Sequence, residues 1–254
     1  MLALLAACLL QEPSPLGPLL DDKPSRPSVS IRAELWDPVL VGSGEFGAHD
    51  AAGKPSPGSR VRFNDEITAG DPDVAPPRLD VEIAYRSGAI RLHAWRARWS
   101  ASFVPDGDLA LGRSLLTAGT PVDARFDAEE YAVSVGFKMP DSSAFGWVGL
   151  RVARTRLALE SAADSFHFQF GDPQIGGGLS IQRAIGCATF SLEAMFFTDI
   201  IASAGIDASA RAGIGLGPMA VELGVAIAYE GIAVTPLFLH WTAAAPFASV
   251  TIRF

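Results

Sequence analysis

The sequence predicts an all-β fold, a ten-stranded antiparallel up-and-down barrel, with eight strands as the alternative count. Apolar and polar residues alternate with a period of two along ten segments, and the connections between these segments alternate in length. After the N-terminus no apolar run approaches the ~20 residues that a membrane-spanning helix needs, although 49% of the residues are hydrophobic. Strands therefore have to bury this apolar surface or present it to lipid.

The clearest alternation lies in residues 218–232, where large apolar side chains occupy every second position from Met219 to Tyr229. The residues between them are small or acidic. A helix would scatter Glu222 and Glu230 among the apolar residues, whereas a strand separates the two sets onto opposite faces. The ten predicted strands are 28–37, 78–87, 89–103, 124–138, 144–159, 173–185, 187–199, 204–216, 218–232 and 246–254.

Two of these segments do not keep a single phase. In 89–103 the apolar positions shift between Leu92 and Trp95, and in 144–159 they shift near Ala153. A β-bulge, which adds one residue to a strand, would produce such a shift. The alternative is a strand end that extends beyond the membrane.

Short turns and longer connections follow each other around the chain. The predicted long or medium connections are 38–77, 104–123, 160–172, 200–203 and 233–245. Transmembrane barrels have short periplasmic turns, longer outside loops and an even number of strands. Ten strands place both chain ends on the periplasmic side, as export through the inner membrane requires.

The chain ends on Phe254, with Val250 and Ile252 on the same face of the last strand. In this, and in its strand and turn layout from residue 28 onward, it resembles small bacterial outer-membrane β-barrel proteins. That class commonly ends on an aromatic residue preceded by alternate apolar residues, a signal for the barrel-assembly machinery. The resemblance implies a transmembrane barrel in the bacterial outer membrane, with lipid and the assembly machinery as partners.

The first residues predict export. Residues 1–12 are apolar and then polar, which is typical of a secretory signal peptide, and 13–27 form a short Pro-rich periplasmic segment. The barrel would then occupy 28–254. Leu5 to Cys8 also resembles a lipobox, in which Cys8 would carry a lipid. With Cys187 as the second cysteine, the sequence indicates neither a disulfide framework nor a cysteine-based metal site.

Charged residues lie on the polar faces of the predicted strands. The net charge is −8 with no Lys/Arg cluster, which argues against nucleic acid as a partner. A narrow barrel cannot leave buried charges unpaired, so we expect an ion-pair and water network across the lumen. Its predicted members are Arg32, Glu34, Glu82, Arg86, Arg96, Arg98, Lys138, Arg151, Glu193, Arg211, Glu222 and Glu230.

Five aromatic residues suit the girdles that mark the two membrane interfaces of a barrel. They are Trp95, Trp99, Trp147, Tyr131 and Tyr229. The alternative for each is a position in a soluble core. Unbroken apolar faces on so many strands favour the girdles.

Sequence motifs for catalysis are weak. The histidines His49, His93, His167 and His240 form no zinc-protease signature, and there is no G-x-S-x-G nucleophile elbow. Gly176–Gly178 leads into a strand rather than a phosphate-binding helix, which indicates bending or close packing. We expect no catalytic, cofactor or metal-binding residues.

The sequence therefore predicts a non-enzymatic outer-membrane barrel with a structural or surface-interaction role. Barrels of ~8 strands are filled by side chains, whereas open channels belong to ~16–18 strands. The first long connection, 38–77, is the expected place for an extracellular ligand. Three alternatives stay open: a narrow channel for small solutes, an outer-membrane lipid-modifying or proteolytic enzyme, and a soluble secreted β-barrel binding protein.

Overall fold

The computed structural model describes residues 27–49, 55–56, 58–63, 77–85, 87–140, 142–199, 202–234 and 237–254. The predicted signal peptide, nearly all of the Pro-rich segment and the lipidation alternative at Cys8 lie outside these residues. Within the described part of the chain, no helix has the length and hydropathy that crossing a membrane requires.

The described residues form sixteen strands. They are β1 (Ser28–Trp36), β2 (Val39–Glu45), β3 (Ala48–His49), β4 (Pro55–Ser56), β5 (Arg60–Arg62), β6 (Arg78–Ala84), β7 (Gly88–Phe103), β8 (Leu109–Leu111), β9 (Ser114–Leu116), β10 (Val122–Lys138), β11 (Ala144–Ser161), β12 (Ser165–Ile185), β13 (Ala188–Thr198), β14 (Ser203–Leu216), β15 (Met219–Val234) and β16 (Leu237–Arg253).

Ten of these strands form one closed antiparallel barrel, which confirms ten strands over the alternative of eight. The order around the barrel is β1, β6, β7, β10, β11, β12, β13, β14, β15 and β16. Pairing of β1 with β16, from Ser30 opposite Arg253 to Trp36 opposite Phe247, closes the ring. A closed ring leaves no sheet edge, and this is what allows a sheet to cross hydrocarbon.

Two predicted loops are strands instead. The chain turns within residues 162–164 and begins β12 at Ser165, so the predicted loop 160–172 is wrong. In the same way β16 begins at Leu237, inside the predicted loop 233–245. The first stretch lies above the level at which the outer face turns polar, and side chains such as His167 and Gln169 made a strand resemble a loop.

The polarity of the barrel wall inverts along β7, β10 and β11. On the outer face of β10, Phe137, Val135, Val133 and Tyr131 are exposed apolar or aromatic residues. The next outward positions on this strand are all charged: Glu129, Asp127, Arg125 and Asp123. The inner face changes in the opposite sense, from Ser134 and Glu130 to Ala128, Phe126 and Ala124. The lower part of the barrel therefore has a membrane-protein pattern, and the upper part has that of a soluble protein.

The height of the apolar band fits a bilayer. On β15 the outward positions from Met219 to Tyr229 are apolar or aromatic. Ten residues span roughly 34 Å along a strand, which a tilt of about 40° reduces to roughly 26 Å. That height matches the ~25 Å band of outer-membrane barrels.

The shift of phase in β7 comes from this inversion. Pairing of β7 with β10 runs without a bulge from Gly88 opposite Phe137 to Phe103 opposite Val122. Leu92 faces outward at the lipid level, and Trp95 faces inward above it. Of the two explanations, the strand end that extends beyond the membrane is therefore the one observed.

Above the band, at the end of the barrel away from Ser28 and Phe254, the ring opens into a structure that we call the head. Pairing of β6 with β7 stops at Leu79 opposite Ala94, and pairing of β12 with β13 stops at Ile175 opposite Thr198. Strand β2 pairs with β16 directly above β1. The register is the same, since Val39 lies opposite Ala244 and Trp36 lies opposite Phe247. The upper parts of β7, β10, β11 and β12 thus face those of β15, β16 and β2 across an apolar core.

Aromatic rings dominate the core of the head. Trp95 packs edge-on against Trp36 at 5.0 Å and against Trp241 at 6.1 Å, measured between ring centroids. Phe126 contacts Trp241 and Phe63. Because edge-on aromatic pairs bury large areas in fixed geometry, this cluster joins the two halves of the head into one unit.

Three of the five predicted girdle residues are placed wrongly by the sequence. Trp95, Trp99 and Trp147 are buried inside the barrel. Tyr131 and Tyr229 lie on outward positions, as a girdle requires. The error has a physical cause. Within the apolar band a large apolar side chain faces outward to lipid, whereas above the band the same type of side chain faces inward to the core of the head.

The glycines 176–178 allow close packing, as predicted. A Cβ at Gly176 would lie 2.5 Å from the ring of Phe197, and one at Gly178 would lie 2.6 Å from the sulfur of Met195. These glycines therefore give inward side chains of β13 the room they occupy in the lumen.

Candidate functional site

Arg151 is the centre of a buried charge cluster in the lumen. Its guanidinium lies 3.1 Å from Glu130, 3.1 Å from Asp207 and 2.5 Å from Glu230. It also donates to the side-chain oxygen of Gln174 at 2.8 Å. These residues come from five of the ten barrel strands, so a single side chain connects half of the strands of the ring.

A second cluster lies nearer the periplasmic end. Arg91 contacts Glu82 at 2.8 Å and reaches across to Glu193 at 2.5 Å. Glu193 also accepts from Arg211 at 3.5 Å, and Arg211 contacts Glu34 at 3.3 Å. Each charge therefore has at least one partner of opposite sign, as burial demands.

His93 connects the two clusters. Its Nδ1 lies 2.7 Å from Asp80, and its Nε2 lies 3.8 Å from Glu130. Asp80 also contacts Arg32 at 3.1 Å, and Arg32 lies 3.9 Å from Glu222. Charged side chains thus form one network from the periplasmic end to the base of the head.

The structure brings eight of the twelve predicted charges into this network. These are Arg32, Glu34, Glu82, Arg151, Glu193, Arg211, Glu222 and Glu230. Lys138 lies opposite Phe145, on the inner face at the periplasmic end. Arg86 lies outside the described residues.

Arg96 and Arg98 are corrections to the predicted network. Both lie on the outer face, above the apolar band, where they contact Asp127 at 3.7 Å and 2.6 Å. The prediction that Trp95 and Trp99 face lipid puts these two arginines on the inner face. Keeping one phase along β7 would instead have placed Arg91 and His93 inside.

Several members of the network were missed by the sequence analysis. They are Arg78, Asp80, Arg91, His93, Glu130 and Asp207. The signal for most of them is the same alternation that located their neighbours. On β6, for example, Asp80 and Arg78 occupy every second position from the predicted Glu82.

The lumen is closed at three levels. Near the periplasm Phe145 and Trp147 belong to a small buried apolar cluster, and Arg91 lies over the Trp147 ring at 4.1 Å. The ion pairs fill the middle, and the aromatic core covers the outer end. A cavity of about 50 Å³ lies among the ion pairs, roughly enough for one or two water molecules, and a second of about 60 Å³ lies at the periplasmic end, where Ser28 and Arg253 line it.

The outer wall of the head is the second candidate site. Outward side chains of β7, β10, β11 and β12 lie in rows across the strands, since their registers align. The lowest charged row contains Arg96, Glu129 and Arg154. A groove of about 750 Å³ lies on this wall, and Arg125 and His167 are among its lining residues.

Asp127 occupies the centre of this wall. Burial by itself would raise the pKa of its carboxyl, but the hydrogen bond and charge of Arg98 and those of Arg125 outweigh burial and lower the pKa. Asp127 is therefore an anion at neutral pH that holds several guanidiniums in place.

Among the residues that the structure describes, no histidine at an accessible rim is hydrogen-bonded to a serine; Ser102 in the groove donates instead to the carboxylate of Asp123 at 2.5 Å. The close pair of His93 and Asp80 lies inside the closed lumen. His167 and Glu160 lie near the extracellular rim, but 3.8 Å separates them, which is too long for a hydrogen bond. The described residues also contain no cluster of three or more His, Cys, Asp or Glu side chains that could hold a metal ion.

No family model and no curated protein matches this sequence. Solved structures do match. OmpT, an outer-membrane protease from Escherichia coli, aligns with 92% of this chain and 99% of its own at 11% identity and a TM-score of 0.49. Ail, the attachment invasion locus protein of Yersinia pestis, covers 90% and 99% at 10% identity and a TM-score of 0.36. Neisserial surface protein A covers 89% and 97% at 10% identity and a TM-score of 0.33.

At such low identity and TM-score these likenesses carry no statement about activity. The closed ring of ten strands and the lipid-height apolar band come from the chain itself. The chain is a ten-stranded membrane β-barrel. Its last strand places Val250, Ile252 and Phe254 together on the outer face, while their recognition by the assembly machinery stays a prediction.

Proposed function

We propose that the protein is a non-conducting barrel that holds a rigid extracellular head, with a structural or surface-interaction role. The observation that carries this proposal is the aromatic core directly above the lumen. Trp36, Trp95, Trp241 and Phe126 fill the space that a channel would leave open. An open aqueous path would have to disrupt this core and the ion pairs below it.

The energetic cost of opening supports this proposal over a channel. Moving Arg151 away from Glu130, Asp207 and Glu230 would leave three carboxylates facing one another in a buried site. Breaking a buried ion pair by removing one partner costs about 3–5 kcal/mol. A path through the lumen would break several such pairs at once.

The two long connections of the chain contribute strands to the head, which agrees with a surface-interaction role. The first connection builds β2 to β5, and the second builds the hairpin of β8 and β9. Gly112 donates a backbone hydrogen bond to Gly47 at 2.9 Å, and Ser59 donates one to Ala110 at 2.8 Å. These bonds join the two connections, so the ligand surface proposed within 38–77 would rest on a supported base.

An enzymatic role has weaker support. The Asp80–His93 pair has good hydrogen-bonding distance, but a lipid or polypeptide substrate would have to pass the core of the head to reach it. We therefore propose a non-enzymatic protein.

Electrical recording tests the non-conducting barrel. The purified protein is inserted into a planar lipid bilayer, and current is followed at a series of voltages. We expect no stepwise increase in conductance. Protein recovered from the same membranes should run differently on a gel before and after boiling, which checks that folded barrels were present. Discrete, reproducible current steps would contradict the proposal.

An inserted epitope tests the extracellular head. We expect an epitope placed after Ala118, in the connection between β9 and β10, to bind antibody on intact cells. The same epitope after Ser142, in a periplasmic turn, should bind only after the outer membrane is permeabilised. The reverse pattern would place the head on the wrong side and remove its surface role.

A further inference from the structure

We propose that the outer wall of β7, β10 and β11 binds the phosphate of an outer-leaflet lipid. Five arginines on this wall form what we call the arginine belt. They are Arg96, Arg98, Arg125, Arg154 and Arg156. The site lies outside the lumen, so the proposal does not depend on whether the barrel conducts.

The belt begins directly above the lipid-facing residues. Ala94, Tyr131 and Val152 form the last apolar row, since they pair in register across the three strands. Arg96 and Arg154 are the next outward positions on their strands, roughly 7 Å further along the strand, which a tilt of about 40° reduces to roughly 5 Å of height. This is the height at which lipid phosphates lie.

One carboxylate holds three of these arginines. Asp127 lies 2.6 Å from Arg98, 3.1 Å from Arg125 and 3.7 Å from Arg96. A single negative charge cannot neutralise three guanidiniums. The remaining N–H donors stay available to a further anion.

A second carboxylate is shared in the same way. Glu129 lies 3.4 Å from Arg154 and 3.3 Å from Arg156. The three rows nearest the apolar band therefore set five guanidiniums against two carboxylates, while Asp123 and Glu160 form an acidic row above them. This local excess of three positive charges favours an anionic partner.

The belt is open to the outside. Side-chain exposure of its five arginines ranges from 27% for Arg98 to 49% for Arg125. Guanidinium groups bind phosphate oxygens through two parallel hydrogen bonds. The groove beside Arg125 and Arg156 offers room for the sugar that carries a glycolipid phosphate.

Lipid binding is measured by native mass spectrometry of the full-length protein in detergent, titrated with diphosphorylated lipid A. We expect the Arg154→Gln/Arg156→Gln variant to bind at least tenfold more weakly than wild type. Arg183→Gln, on the outer face at the periplasmic end of β12, should bind as wild type does. Equal binding by all three proteins would overturn the proposal.

A substitution of the opposite sign separates binding from folding. Glu129→Gln removes the carboxylate that Arg154 and Arg156 share, so we expect several-fold tighter binding of lipid A. A damaged barrel would not bind more tightly. Unchanged or weaker binding by Glu129→Gln would overturn the assignment.

The source of the phosphate is tested by competition. Dephosphorylated lipid A should bind the wild type no better than it binds Arg154→Gln/Arg156→Gln. Inorganic phosphate at millimolar concentration should not displace diphosphorylated lipid A. If it does displace the lipid, the belt binds free phosphate and the lipid assignment is wrong.

Discussion

Arg151 is the residue whose removal should cost the barrel most. Its guanidinium is buried among Glu130, Asp207 and Glu230, and Arg151→Met would leave these carboxylates without their shared cation. We expect the free energy of unfolding to fall by about 3–5 kcal/mol. The midpoint of urea unfolding in vesicles, followed by the loss of heat-modifiable gel mobility, measures this change.

Arg183→Met is the matched control for this prediction. Arg183 is an exposed arginine on the outer face of β12. Its replacement should change the free energy of unfolding by no more than about 0.5 kcal/mol. Equal effects of the two substitutions would mean that the lumen network contributes nothing specific to stability.

At the scale of the element, the inversion of polarity predicts that the same charged substitution has different effects on stability at two positions on one face of one strand. Leu92 and Ser100 both lie on the outer face of β7, the first at the lipid level and the second in the head. An arginine at the bilayer midplane costs about 2–4 kcal/mol on the lipid face of a barrel. We expect Leu92→Arg to be destabilising by an amount of that order.

Ser100→Arg tests the other end of the same strand. Water replaces lipid at its level, so we expect a change within about 0.5 kcal/mol. Urea midpoints of the two variants, measured in the same vesicles, give the comparison. A large loss for Ser100→Arg would mean that the apolar band extends beyond Ala94.

At the scale of the whole molecule, the five tryptophans report which side of the wall is apolar. Trp36, Trp95, Trp99, Trp147 and Trp241 are all buried inside the barrel or its head. Lipids that carry bromine on their acyl chains quench tryptophans only on contact. We expect the wild type in brominated vesicles to keep most of its fluorescence.

Tyr131→Trp supplies the positive control. Tyr131 lies in the last lipid-facing row, so a tryptophan there should add emission that brominated lipid quenches. Strong quenching of the wild type would mean that tryptophans lie in the membrane girdles that the sequence predicts.

The number and placement of the strands were available from the sequence, because period two is a local property of a chain in contact with lipid on one side. Each of the ten predicted segments overlaps a different barrel strand, although β12 and β16 begin well before their predicted segments. The same pattern misplaced Trp95 and Arg96, since alternation tells which residues share a face and not what that face touches. What a face touches changes along a strand once it leaves the bilayer.

Tertiary structure alone decided which charges meet. Arg91 and Glu193 are separated by 102 residues in the chain and lie on strands that do not pair. Their contact depends on the closure of β1 against β16 and on the width of the ring, neither of which is a local property. By itself the sequence therefore determined a ten-stranded membrane barrel. Closure and packing determined that its lumen is filled and that five of its arginines lie together on the outer wall.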